Sequence, residues 1–359
     1  YVLGQHFSKH RIQVDRGAEE WFVELDGDEA IGSIVVPYDF SGDKPLLVKM
    51  EKLILPGADD NKIHATDLID PRTLPPISIK ANEFALGLHH FGSLEAEFAR
   101  TEMGIEASNI MTKDDSFGLS GTGRWVVEST DDSDQRSYLT AKLVSTNVKQ
   151  TTQRLNYQPG IVSNNMEIDI DVNWPGGPRK NFIANLDGNI GMRLGSGQLD
   201  EVEPGAGRVF GLMSIVALPR RLSLDFRDVF AKGFGFDEIT GIFRIINGVT
   251  FTCDLMLKGP AANIAIIGQA GIMAQDYKQI AIVNTKVGNT LPVVGAVVAG
   301  PQVAAALLVF SQIFKKPLQD MGQVYYSIGG SWNEPIIAIA TAEQFATTYK
   351  SADCIQTVN

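Results

Sequence analysis

Strict alternation of apolar and polar residues constrains this chain more than any other feature. Met166, Ile168, Ile170, Val172 and Trp174 alternate with Glu167, Asp169, Asp171 and Asn173. Phe182, Ala184, Leu186, Gly188, Ile190, Met192 and Leu194 form a second file, with Asn185, Asp187, Asn189 and Arg193 opposite. In a third, Val249, Phe251, Cys253, Leu255 and Leu257 oppose Thr250, Thr252, Asp254, Met256 and Lys258. Weaker versions occur at 21–25, 77–81, 94–98 and 105–107. Successive side chains of a strand point to opposite faces, so period two predicts strands with one dry and one wet face. Buried parallel strands would read as continuous apolar runs, so most pairing is expected to be antiparallel. Asn247-Gly248 between two such runs predicts a hairpin, Gly259-Pro260 punctuates the next turn, and Asp187-Gly188 marks either a turn or a bulge.

Helix signals are few. The 149–156 segment after Ser145-Thr146-Asn147 reads as a short capped helix, and 208–218, between Pro204-Gly205 and Pro219, has helical period. The 56–76 segment carries the turn formers of a long loop, Asp131-Asp132-Ser133-Asp134 a polar hairpin tip, and 336–340 one final strand. The tail after Gln344 shows no pattern. The expectation is a mainly β protein: an elongated, curved antiparallel sheet whose apolar face forms a groove, with a few short helices towards the C-terminus. That face needs a cover. A sandwich or closed barrel would supply it with protein, an open curved sheet with lipid, and periodicity does not distinguish these.

The second constraint is the run 291–314, 24 residues without a charge, followed by Lys315 and Lys316. A bilayer core needs about 20 apolar helical residues, but Gly300-Pro301 interrupts the run. Three readings stay open: a kinked span, a helical hairpin dipping into one membrane face, and an apolar plug within the protein. The membrane-contact candidates are Leu291, Val294, Val298, Leu307, Leu308, Phe310, Phe314, Lys315 and Lys316. The lysines suit anionic headgroups. The expected organisation is a first β region over 1–145, a second over 146–290, the hairpin over 291–316, final strands over 317–340 and a tail over 341–359.

With 44% apolar and 20% charged residues, the 359-residue chain has a large core available. Its net charge of −11 argues against nucleic acid, which needs a basic surface. Tyr1 begins mid-pattern, so the chain reads as a fragment or processed product. Cys253 and Cys354 fit neither a metal spacing nor a disulfide framework, and Cys253 reads as a buried thiol on a strand face. His6 and His10 share i,i+4 spacing without the HExxH order, and His89-His90 point to opposite faces of a strand. Gly118-Leu119-Ser120-Gly121-Thr122 lacks the last glycine of a nucleophile elbow, and Gly233-Phe234-Gly235 lacks a dinucleotide setting. The acidic clusters 26–29 and 131–134 lack an EF-hand's ligand order. No catalytic constellation, metal site or cofactor is expected.

The run Glu203-Pro204-Gly205-Ala206-Gly207-Arg208-Val209-Phe210-Gly211-Leu212, followed by 218–230 and Lys232-Gly233-Phe234-Gly235-Phe236-Asp237, resembles the C-terminal part of the large AsmA-like, TamB-related envelope proteins of Gram-negative bacteria. The likeness continues through Gly259-Pro260-Ala261, Leu291-Pro292, Gly300-Pro301 and Lys316-Pro317-Leu318 to Gly330-Ser331-Trp332-Asn333-Glu334-Pro335. The first half matches more loosely, through 32–37, 53–55, 121–125 and 173–176. Thr285 departs from the proline expected before the uncharged run. The resemblance implies an inner-membrane-anchored protein of the periplasm, whose β-groove lets phospholipid acyl chains slide towards the outer membrane. On that reading the groove candidates are Met166, Ile168, Ile170, Val172, Phe182, Leu186, Ile190, Val249, Phe251, Leu255 and Leu257. The competing expectation is a non-catalytic structural or assembly protein of the envelope, in which the same residues pack an ordinary sandwich core.

Overall fold

Alternation becomes strand nearly everywhere it occurs. The structure is a computed structural model, and it describes residues 11–40, 42, 44–55, 69–129, 134–157, 160–178, 182–199, 234–285, 323–352 and 354. Two units can be separated. The first comprises 1–145, 154–156 and 169–186, and the second 146–153, 157–168 and 187–359. The predicted helix at 208–218 and hairpin at 291–316 lie outside the described residues.

In the first unit nine strands follow one another: β1 (Arg11–Arg16), β2 (Glu20–Asp26), β3 (Ala30–Pro37), β4 (Leu46–Leu55), β5 (Ile77–Leu86), β6 (His89–Arg100), β7 (Gly104–Lys113), β8 (Phe117–Val127) and β9 (Gln135–Ser145). Each pairs with the next, and every pairing is antiparallel except β4 with β5, which run parallel. A parallel pair needs a crossover, which explains why 56–76 is long. Its described end carries a 3₁₀ turn (Pro71–Thr73), capped by Asp70, whose Oδ1 accepts from Arg72 N at 2.9 Å.

The second unit holds β12 (Asp187–Leu194), β15 (Glu238–Ile246), β16 (Val249–Lys258), β17 (Ala262–Gly271), β18 (Asp276–Thr285), β19 (Gln323–Gly330) and β20 (Pro335–Ile339), paired antiparallel in that order. Short strands β10 (Ile161–Ser163), β13 (Gly197–Leu199) and β14 (Phe234–Phe236) form a separate three-stranded sheet. The remaining strand, β11 (Met166–Pro175), contributes residues to both units. At the β15–β16 turn Asn247 and Gly248 have φ of 47° and 70°, and Ile246 pairs with Val249. Two positive φ values define the hairpin turn that the Asn-Gly pair predicts.

Three features depart from the sequence reading. Phe182–Asn185 is a 3₁₀ helix, so the second file becomes strand only from Asp187. The third file is broken by a bulge: β16 has two residues between Thr252 and Leu255 where β17 has one between Gly268 and Ile266. An extra residue reverses which side chains share a face. Ile242 N stabilises the irregularity by donating to Asp254 Oδ1 at 2.9 Å. Finally, the tail is not patternless. It forms a helix, with the Thr341 hydroxyl accepting from Gln344 N and the Gln344 side chain accepting from Thr341 N. This capping box satisfies two donors that a helix start leaves open.

The helix predicted near 149–156 is α1 (Val148–Arg154), with the Asn147 side chain accepting from Gln150 N. In the first unit Arg154 Nε donates to Asp114 Oδ2 at 2.8 Å, and Ser116 donates to Asp114 Oδ1 through both N and Oγ. Burial works to raise the Asp114 carboxyl, but the bonds from Ser116 and Arg154 prevail and hold it below the usual carboxylate range. Its contribution is therefore present above the unfolded-state pKa and is lost as pH falls through the lowered folded-state value. Asp114→Asn is expected to lose about 1–3 kcal/mol at neutral pH. In denaturant titrations from pH 7 downwards, the gap to wild type should close as the carboxylate protonates.

Candidate functional site

Register places the apolar side chains of neighbouring strands at the same height. In the first unit one rung runs Val14–Val23–Ile34–Val48–Ile79–Ala96–Ile110–Gly121–Ala141 across β1 to β9. The next runs Ile12–Leu25–Gly32–Met50–Ala81–Leu94–Thr112–Leu119–Leu143. Neither contains a charge. At about 4.8 Å per strand, each rung extends roughly 38 Å across the sheet. The opposite face carries exposed Lys49, Lys80, Glu95, Glu97 and Lys142, with Lys80 and Glu95 in an ion pair at 3.5 Å. Such an exposed pair contributes little stability, so the polar face mainly keeps its side of the sheet wet.

The dry face of this unit is incompletely covered. Leu25, Ile34, Val48, Met50, Ala81, Leu94 and Ala96 are buried together, but Val23, Ile79, Phe84, Phe98 and Ile110 pack against them only half-buried. At the β1 edge Ile12 and Val14 stay 52% and 54% exposed. Ile170, Val172, Phe182 and Leu186 also belong to this unit. Val172 and Leu186 are buried, and Ile170 and Phe182 half-buried. The Phe182 ring lies 4.7 Å from that of Trp174, whose Nε1 donates to Gly177 O at 3.0 Å.

The second unit is drier. Leu194, Ile239, Leu257, Ile264 and Val283 form one rung and are all at 0% exposure. A neighbouring row contains Leu255, Ile266 and Ala281, with Gly241 so close that a Cβ there would stand 2.9 Å from Leu255 Cα. Of the predicted groove residues, Met166, Leu255 and Leu257 are buried here, and Ile168, Ile190, Val249 and Phe251 half-buried. They do not share one face. Thr250 and Thr252, expected on the wet side, are at 1% and 2% exposure, and the bulge turns Val249 and Phe251 away from Leu255 and Leu257. The Arg244 guanidinium instead stands 5.9 Å from the Phe251 ring centroid.

The cysteines correct another expectation. Cys253 and Cys354 form a disulfide, with Cα atoms 5.5 Å apart and a sequence separation of 101. No spacing rule predicts such a pair, because only the fold brings its members together. The first-unit rungs carried a sequence signal, the weak alternation at 21–25, 77–81 and 94–98. Glycine, alanine and threonine at Gly32, Ala81, Ala96, Thr112 and Gly121 kept it faint. The membrane-contact candidates Leu291, Val294, Val298, Leu307, Leu308, Phe310, Phe314, Lys315 and Lys316 lie outside the described residues. Among described residues, no helix is long and apolar enough to cross a membrane, a statement that leaves β-barrels untouched.

The sheets define a mainly β protein built on antiparallel strands with one charge-free face. The chain belongs to the YhdP family: the family profile described as YhdP protein matches residues 1–337. It is similar to the intermembrane phospholipid transporter YhdP of Escherichia coli K12, at 28% identity over 273 residues, 76% of this chain and 21% of that protein. The chain thus spans about a fifth of the length of this relative. No solved structure matches it.

Leu255→Ala is expected to destabilise the second unit by about 2–5 kcal/mol, the range for a buried leucine. Phe251→Ala, on the other face and half-exposed, should cost about 1–2 kcal/mol. Equilibrium unfolding measures both. Equal losses would mean that the two side chains share one core.

Proposed function

We propose that this chain is a segment of a bridge-like lipid-transfer protein, which conducts phospholipids along an apolar β-groove between the inner and outer membranes. The observation that carries the reading is the pair of charge-free rungs across β1 to β9, whose side chains are in part only half-buried. A hydrocarbon chain asks only for a dry surface, since each CH₂ removed from water contributes about 0.8 kcal/mol. Motion along such a surface requires no chemistry and no specific pocket. Membership of the YhdP family and the name of the E. coli relative support phospholipid as the cargo. The Cys253–Cys354 disulfide fits the oxidising periplasm of a Gram-negative bacterium. The longer protein is then anchored in the inner membrane, and 291–316 meets the outer membrane or stoppers the groove. Val23, Ile79 and Ile110 join the earlier candidates as residues against which acyl chains rest. Ile170, Val172, Phe182 and Leu186 serve the same role in the first unit.

One observation favours a second reading for part of the molecule. The rung Leu194–Ile239–Leu257–Ile264–Val283 is as dry as any globular core, so the second unit also fits a structural role in the envelope.

Purified protein is expected to carry phospholipid visible by native mass spectrometry. Ile79→Asp combined with Ile110→Asp should reduce bound lipid at least about tenfold while the fold persists, because a carboxylate at a half-buried site keeps access to water. Lipid-free wild-type protein, or unaltered lipid in the double variant, would sink the conduit. Liposome flotation with and without residues 291–314 tests membrane contact, and equal flotation would remove that segment from the membrane.

A further inference from the structure

Strands β17 and β18 are dry on both sides, unlike the strands of the first unit. Ile264, Ile266, Ala281 and Val283 occupy one face, and Ala265, Ile267, Ile280 and Ile282 the other, all buried. The second set is covered by α2 (Ala342–Ser351), which packs against both strands. Phe345 enters the patch, with its ring edge-on to Tyr325 at 5.5 Å.

The helix is short and mostly polar on its described exposed positions. It has ten residues, shorter than the length at which an isolated helix persists in water. Phe345 is buried, whereas Glu343, Gln344, Thr347, Lys350 and Ser351 are exposed. Beyond its end, Ala352 and Cys354 are buried, and Cys354 is bonded to Cys253 at the β16 bulge. Among the described side chains of α2 Phe345 is the buried one and Thr348 is half-buried, and the disulfide pins the chain just beyond them.

We propose that Cys253–Cys354 is a redox latch: formed, it straps α2 over the apolar patch of β17 and β18; reduced, it frees the strap and opens that patch to solvent. Closure follows thiol–disulfide exchange with a disulfide-bearing oxidant. The thiolate of one cysteine attacks the oxidant's disulfide and expels one thiol. The other cysteine, as thiolate, then attacks the mixed disulfide and expels the second thiol. Two protein thiols become one disulfide, and the oxidant's disulfide becomes two thiols. A dithiol reductant runs the same steps backwards. Cys253 keeps partial exposure while Cys354 is buried, which directs an incoming thiolate to the Cys253 sulfur.

The test uses the full chain, first held in glutathione disulfide and then treated with dithiothreitol without denaturant. Thiol alkylation followed by mass spectrometry counts free cysteines, hydrogen exchange follows α2 and β17–β18, and an apolar-surface dye reports the patch. The expected result is no alkylation before reduction and two alkylations after it. On reduction, α2 amides should exchange at least about 100-fold faster, β17–β18 amides should stay protected, and dye binding should rise. Returning the protein to glutathione disulfide should reverse all of these. Two free thiols in glutathione disulfide would overturn the proposal, as would unchanged α2 protection after full reduction. Loss of β17–β18 protection along with α2 would also overturn it, since the bond would then hold the whole unit. Cys253→Ser with Cys354→Ser should reproduce the reduced state, and if that variant fails to fold, in-place reduction of wild type still decides.

Discussion

A strand can keep one face dry only if the strands beside it do the same at the same height. That cross-strand constraint runs through everything described in this chain. Backbone hydrogen bonds set the height, and a slip of one residue would send every apolar side chain to the wet face. Val48 can face Ile34 on one side and Ile79 on the other only because β3, β4 and β5 are held in register. The parallel step between β4 and β5 preserves that register at the expense of a long crossover. Where a residue must be absorbed, bulges absorb it, and the side-chain parity of the strand changes at that point.

The two units use the same device with different results. In the second, Leu194, Ile239, Leu257, Ile264 and Val283 are sealed from water, and the row is indistinguishable in burial from a globular core. In the first, small residues such as Gly32, Ala81, Ala96 and Gly121 thin the rungs, and larger neighbours remain partly open. An apolar side chain left half-exposed forgoes part of its burial energy, about 25 cal/mol for each Å² still wet. A hydrocarbon cargo laid on such a surface would recover that energy in every register along the rung. This is the physical reason why the proposed lipid path falls on the half-buried rungs of the first unit.

Dryness on both faces is the other departure from a one-sided sheet, and among the described strands it is sustained over four or more consecutive residues only in β17 and β18. A second apolar face obliges the chain to provide a second cover, and the C-terminal helix is that cover. Its capping box starts it at Thr341 and the disulfide pins it beyond Ser351. With Phe345 buried on the sheet, the covalent bond beyond the helix further restricts where α2 can go.

Alternation at Met166–Trp174 and Val249–Leu257, the Asn247-Gly248 turn and the capped helix after Asn147 were legible because each is a local matter of side-chain direction or backbone φ. The sequence by itself therefore determined that the chain is mainly β, mainly antiparallel and apolar on one side of its strands. Motifs such as 203–212 and 330–335 placed it in its family. Tertiary structure decided what depends on partners distant in sequence. The bulge at Cys253–Asp254 splits a continuous-looking file because β17 is one residue shorter across the same span. Phe182 turns into a 3₁₀ helix beside Trp174 despite its place in an alternating run. The apolar rows of the weaker strands merge into rungs only when nine strands align. Cys253 and Cys354 meet because α2 lies back on the sheet, and no pattern within either segment encodes that contact.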